Sequence, residues 1–304
     1  MELSLLNQIA TKIFPIVLTF FLGFLLKKVR VFSAASADTM LKIVFYISLP
    51  ALILLAMIHT TLTLDFIYLP IICIITVSVT LLITFTVGRS LHLTEQALGV
   101  FIIGPMIVNT TFIIPFLLSA YGQDAIARLS IFDVGNNITI YSLVYYFAHR
   151  HGSGGAPQGA LKTIAQSPIL YALCLGLVLN TAHVKPPAIC ETFLHGMGAM
   201  TTPLVMISLG IYFNPTMVRV KATFLSVVIR IVAGFLIALI LANLFGLDGL
   251  NRAVVLIACS APLGFTTLTF SAITGLDTEF AASCVSYSIL FGLVTTPLLI
   301  FFLL

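Results

Sequence analysis

The sequence predicts an all-α integral membrane protein of about ten transmembrane helices in a five-plus-five inverted repeat, with helices four and nine broken near their middles. Three observations predict it. Of the 304 residues, 60% are hydrophobic and 8% are charged, whereas soluble domains are roughly 45–50% apolar and about 25% charged. A spanning helix takes about 20 apolar residues, so about ten of them with short connections fill the chain and leave no room for a soluble domain. The most polar connector, His149-Arg-His-Gly-Ser-Gly-Gly-Ala-Pro-Gln-Gly159, is a Gly-rich flexible linker with five apolar stretches on either side. An odd number of spans per half sends the second half into the membrane in the opposite orientation, which is the geometry of an inverted repeat. The predicted parts are the first repeat at 1–148, a cytoplasmic linker at 149–162 and the inverted second repeat at 163–304.

The apolar stretches cover 7–26, 39–58, 66–88, 96–120, 126–148, 163–181, 189–212, 223–245, 252–274 and 280–303. In the first, Lys27, Lys28 and Arg30 follow the apolar run. A signal peptide carries its positive charge before the run, so this reads as a retained first span. The second and seventh stretches each hold a mid-helix proline, Pro50 and Pro203. Proline there frees a carbonyl and bends the axis, which neighbouring helices can accommodate.

The fourth stretch, Gly104 to Gly122, is apolar but contains Pro105, Pro115 and the cluster Asn109-Thr110-Thr111. The ninth contains Ser260-Ala-Pro262-Leu263-Gly264-Phe-Thr266-Thr267. Sliding one onto the other so that Gly122 meets Gly275 also aligns Phe112 with Phe265 and Asn109 with Pro262. Broken apolar helices in matching positions of two halves mark the binding site of a carrier, because the interrupted backbone exposes N–H groups at one broken end and carbonyls at the other. Asn109, Thr110 and Thr111 add side-chain donors on one wall. Pro262, Leu263, Gly264, Thr266 and Thr267 are expected on the other, with Gly264 permitting close backbone approach. Pro105, Pro115 and Pro262 are the expected helix breakers.

Asp133 and Arg230 fall well inside their spans rather than in loops or near helix ends, where ionisable groups are functional by default. Asp133, accompanied by Asn136 and Asn137, lies early in the fifth. Its possible roles are proton coupling, cation binding, or an ion pair with Arg230 of the eighth span. Arg230 in turn could snorkel to the interface, pair with Asp133, or face an anionic ligand.

Orientation follows from Lys and Arg counted over the short loops. One side holds Lys27, Lys28, Arg30, Lys42, Arg89, Arg150, Lys162, Arg219 and Lys221, the other Lys12, Arg128, Lys185 and Arg252. That bias places both termini outside the cytoplasm.

Other chemistry finds little support. A net charge of +4 without a basic stripe argues against a nucleic-acid partner. Cys73, Cys174, Cys190, Cys259 and Cys284 stand singly in apolar runs and read as small core residues, neither metal ligands nor disulfides. There is no HExxH, and Gly152–Gly159 lacks the Lys-Ser/Thr ending of a phosphate loop. Neither an enzyme nor a cofactor is expected; a coupling H+ or Na+ stays open.

At several of these residues the chain resembles the auxin efflux carrier family, which includes the plant PIN-formed carriers and many bacterial permeases. The marks are Lys42-Ile-Val-Phe-Tyr-Ile-Ser-Leu-Pro50-Ala-Leu, Asn109-Thr, Pro115 to Gly122, Ser167-Pro-Ile-Leu, Pro203-Leu-Val-Met-Ile-Ser-Leu-Gly210, Pro262-Leu-Gly264 and Thr296-Pro-Leu. The resemblance implies a carrier, distantly related to the bile acid sodium symporters, in which helices four and nine break and cross and an organic anion sits at the crossing. It further implies a scaffold of helices one, two, six and seven that often forms a homodimer, and an elevator-like transport unit of helices three to five and eight to ten. Family substrates are organic acids such as auxin, malate or malonate, and a bacterial-type inner membrane is the expected location. Val108 stands where the plant carriers have Pro, and Pro115 follows Asn109 after six residues where theirs follows after seven. The expectation is therefore a small organic anion in general. The alternatives are a cation-coupled symporter of a neutral or steroid-like solute, and a membrane receptor that binds the anion without moving it.

Overall fold

The computed structural model describes residues 2–153 and 166–304, with side chains described from Thr11 onward. Residues 154–162 of the expected linker, and 163–165 at the start of the sixth apolar stretch, lie outside the described residues. Among the described residues the regular elements are helices: α1 (Glu2–Lys28), α2 (Ala34–His59), α3 (Leu64–Arg89), α4 (Glu95–Ile103), α5 (Thr110–Tyr121), α6 (123–151), α7 (Pro168–Thr181), α8 (Ala188–Tyr212), α9 (Val220–Leu244), α10 (Gly249–Cys259), α11 (Thr266–Thr274) and α12 (Thr278–Leu303). By length and composition α2, α3, α8, α9 and α12 could each cross a membrane, and α5, α7 and α10 are shorter apolar helices.

Helices α4 with α5, and α10 with α11, replace the two long stretches at 96–120 and 252–274. The pieces hold 9, 12, 11 and 9 residues. At ~1.5 Å per residue each covers roughly half of a ~30 Å hydrocarbon core. A 3-10 turn over Gly104–Met106 ends the first half-helix, and the chain is extended at Ile107 before Asn109 caps α5. Pro105 thus sits at the break, but Pro115 lies inside α5, contrary to its expected role. A proline six residues into a helix finds its φ already set. Its cost is one lost bond, which leaves the Thr111 carbonyl without its usual helical donor.

The helices pack as one continuous bundle. α1 lies along α8 and also meets α5, and α2 packs on α6, α7 and α8. Gly23 and Gly210 let α1 and α8 meet backbone to backbone: a Cβ at Gly210 would strike the Phe20 carbonyl, and one at Gly23 the Ile207 carbonyl. Gly210→Val should therefore lower the melting temperature of the detergent-purified protein by roughly 3–10 °C, since overpacking costs about 1–3 kcal/mol; an unchanged melting curve would show that the helices can part freely. Ser48 and Thr201, each two residues before the prolines Pro50 and Pro203, are hydrogen-bonded through their hydroxyl groups. Asn180 of α7 donates to the carbonyls of Met57, Ile58 and Thr60 at the end of α2, satisfying acceptors that a helix C-terminus leaves open.

Elsewhere in the bundle α3 packs on α6 and α9, α10 on α9 and α6, and α12 on α9 and α11. Three helices carry a five-residue π turn: Val44–Ser48 in α2, Ile140–Val144 in α6 and Ile229–Ala233 in α9. Such turns shift side-chain register and gather at functional sites. Here Val44, Tyr141 and Arg230 lie in them.

Candidate functional site

The two unwound segments meet in antiparallel fashion. Val108 and Leu263 form an isolated β-bridge, with Asn109 N donating to Pro262 O at 3.1 Å and Gly264 N to Ile107 O at 3.0 Å. Each chain thereby answers backbone groups that the other helix break left open, the requirement that hydrocarbon imposes on any non-helical segment. Gly264 is needed for the contact, because a Cβ there would fall 2.5 Å from Ile107 Cγ2. With Val108 opposite Leu263 in an antiparallel pair, Asn109 lies opposite Pro262 and Ile107 opposite Gly264.

Asn109 is buried at the crossing. Its Oδ1 accepts from Phe112 N at 3.1 Å, capping α5, and its Nδ2 donates to Leu263 O at 3.1 Å. The outer edges of the crossing are held from α6 and α12. Asn136 Oδ1 accepts from Val108 N at 3.3 Å, and Ser288 Oγ accepts from Leu263 N at 3.0 Å.

Beside the crossing lies a cavity of about 560 Å³. One part of its wall carries the polar groups, Asn109, Thr110 and Thr111 at the start of α5, Thr266 at the start of α11, and Ser130, Asp133, Asn136, Asn137 and Tyr141 of α6, interleaved with Val108, Gly264, Phe265, Val134, Ile138 and Ile140. The rest is apolar but for Ser167, with Leu41, Val44, Phe45 and Leu49 from α2, Ile169, Leu170 and Leu173 from α7, and Leu209 from α8. Both half-helix N-termini open on this space. Each is equivalent to roughly half a positive charge, so together they favour a bound anion.

Asp133 is the one charged side chain on the cavity wall among the described residues. Asn136 Nδ2 donates to its Oδ1 at 2.8 Å and Asn137 Nδ2 to its Oδ2 at 2.9 Å.

Several sequence expectations separate at this point. Asn109, Thr110, Thr111, Gly264 and Thr266 line the cavity, as do Asp133, Asn136 and Asn137. Pro262, Leu263 and Thr267 are not among its described lining residues. Pro262 offers its carbonyl to Asn109, Leu263 is consumed in the bridge, and Thr267 is fully buried. Arg230 does not pair with Asp133, and neither does it snorkel: its guanidinium is fully buried and bonded to main-chain carbonyls of both breaks. The two helices present these groups to different partners, Asp133 to side-chain amides at the cavity and Arg230 to main-chain carbonyls at the ends of α4 and α10.

Ser130, Tyr141 and Phe265 were missed, as was the whole apolar wall. Tyr141 had a signal, since Asp133, Asn137 and Tyr141 fall at successive i, i+4 positions and must share a helix face. The apolar residues carried none.

A family model described as membrane transport protein matches residues 8–158 and 157–300. Among curated proteins, an uncharacterized transporter of Methanothermobacter thermautotrophicus is 26% identical over 282 residues, covering 91% of this chain and 92% of that protein. Another, from Methanocaldococcus jannaschii, is 25% identical over 286 residues with the same coverage.

Proposed function

The chain belongs to the membrane transport protein family of auxin efflux carrier-like proteins, and on that premise we propose that it carries small organic anions, carboxylates of the malate, malonate or auxin-like class. The observation that carries this reading is the pair of half-helix N-termini opening on one cavity beside amide and hydroxyl donors. A carboxylate would lie against Thr110, Thr111 and Thr266, with the remaining amide hydrogen of Asn109 in reach. The body of the ligand would rest on Phe45, Leu49, Leu170 and Leu173. A volume of about 560 Å³ lies within the range of small-molecule sites.

Asp133 adds a coupling step. A bound carboxylate and an ionised Asp133 on the same wall repel one another, the more so where water is scarce. A proton taken up by Asp133 removes the repulsion, so anion and proton enter together. Movement would follow an elevator course, with α3–α6 and α9–α12 sliding against a scaffold of α1, α2, α7 and α8. The cavity lies between these groups, and a sliding unit would carry its polar wall away from the apolar one. In this reading the scaffold also forms the homodimer, the protein resides in the inner membrane, and both termini lie outside the cytoplasm.

A second reading has one observation in its favour. An acidic side chain on the wall also suits a cation carried with a neutral or steroid-like solute. A thermal-shift screen of purified protein separates the two, since a ligand at 100 times its Kd stabilises by about 2.7 kcal/mol. Stabilisation by a mono- or dicarboxylate and none by its amide analogue is the expected result. Stabilisation only by a neutral solute in the presence of Na+ would transfer the assignment to the symporter.

A further inference from the structure

Arg230 is the largest fully buried side chain among the described residues, and the proposed substrate path does not touch it. Four hydrogen bonds hold its guanidinium, all to main-chain carbonyls. Nε donates to Ala261 O at 2.9 Å, Nη1 to Pro105 O at 3.0 Å, and Nη2 to Cys259 O at 2.9 Å and Ala258 O at 3.3 Å. Ala258 and Cys259 end α10, Ala261 lies in the unwound segment after it, and Pro105 lies in the turn that closes α4. One cation therefore joins the C-terminal ends of both first half-helices.

The electrostatics balance without an acid. Each half-helix C-terminus is equivalent to roughly half a negative charge, so two of them face a single guanidinium. Among the described residues no carboxylate forms an ion pair with Arg230. The approach is built in: Gly234, one turn on in α9, lets that helix close on α10, and a Cβ there would collide with the Cys259 carbonyl. In carriers with broken helices, unwound carbonyls and half-helix C-termini are the groups that coordinate a coupling cation. A rigid fork of five N–H donors presents the same charge to the same kind of ligand.

We propose that Arg230 is a built-in cation of the crossing, occupying the position between two half-helix C-termini that a coupling ion would otherwise take, and so holding both breaks in register. It is a positioning residue: it is not among the described residues lining the cavity and contributes no group to the ligand. Sodium is not needed at this position, because the charge is covalently attached.

The test uses purified wild type with Arg230→Lys, Arg230→Met and Arg230→Ala, read by melting temperature without ligand, so that its result stands apart from the transport reading. Arg230→Met, close in volume but uncharged, should melt lower by on the order of 10 °C, because buried carbonyls lose their donors. Arg230→Lys should fall between it and wild type. Arg230→Ala should regain part of its melting temperature in millimolar guanidinium chloride but not in choline chloride of equal ionic strength. Wild-type melting in Arg230→Met, an Arg230→Lys as impaired as Arg230→Met, or equal rescue by choline would each overturn the proposal. If neither uncharged variant can be purified, Arg230→Lys still decides it: a melting temperature below wild type is expected, and one equal to wild type would overturn it.

Discussion

Asn109→Ala is expected to cut carboxylate uptake by reconstituted protein about 100-fold, equivalent to about 2.7 kcal/mol, while leaving a folded, monodisperse protein. Three losses combine in that one side chain. The cap on α5 disappears with Oδ1, typically at about 1 kcal/mol. The Leu263 carbonyl loses the Nδ2 donor that it holds at 3.1 Å, and an orphaned buried acceptor costs about 1–3 kcal/mol. The amide hydrogen that faces the ligand goes as well. Because the first two losses loosen the start of α5 and the bridge together, the N–H groups of Thr110 and Thr111 lose their fixed aim. Asn109→Asp separates the contributions, since it retains the capping oxygen but removes the donor. It should melt closer to wild type than Asn109→Ala and still transport poorly. Uptake at the wild-type rate by a well-folded Asn109→Ala would remove the crossing from the substrate path.

Asp133→Asn should abolish accumulation driven by an imposed pH gradient while leaving exchange of labelled for unlabelled carboxylate. The substitution is nearly isosteric, and the new amide oxygen can still accept from Asn136 or Asn137, which now donate to the carboxyl group at 2.8 and 2.9 Å. What it removes is the site that gains and loses a proton next to the bound anion. Gradient-driven accumulation should fall at least about tenfold, a change of 1.36 kcal/mol or more, and the remaining exchange should lose most of its dependence on pH. Accumulation equal to wild type under the same gradient would assign the coupling elsewhere.

The residues that could be read in advance were those whose type conflicts with a lipid setting. Asn109, Thr110 and Thr111 between two prolines, and Asp133 with its two asparagines, are polar groups inside apolar runs, and each of them reaches the cavity wall. Helix positions were legible for the same reason, because bilayer thickness fixes segment length and charged residues punctuate the ends. Main-chain chemistry was not legible. Arg230 looked like half of an ion pair because its real partners, the carbonyls of Pro105, Ala258, Cys259 and Ala261, leave no mark in a sequence. Pro115 looked like a breaker, yet α5 runs through it. The apolar wall from α2, α7 and α8 was hidden because a leucine facing a cavity and a leucine facing lipid are the same letter.

Exchange of labelled carboxylate in proteoliposomes tests the central claim most directly, with wild type and Asn109→Ala compared at equal reconstituted amounts. The carboxylate that most stabilises the purified protein should exchange rapidly through wild type and only at the background rate through Asn109→Ala. Equal exchange by the two proteins, or none by wild type despite saturable binding, would contradict a carrier whose substrate sits where the two broken helices cross.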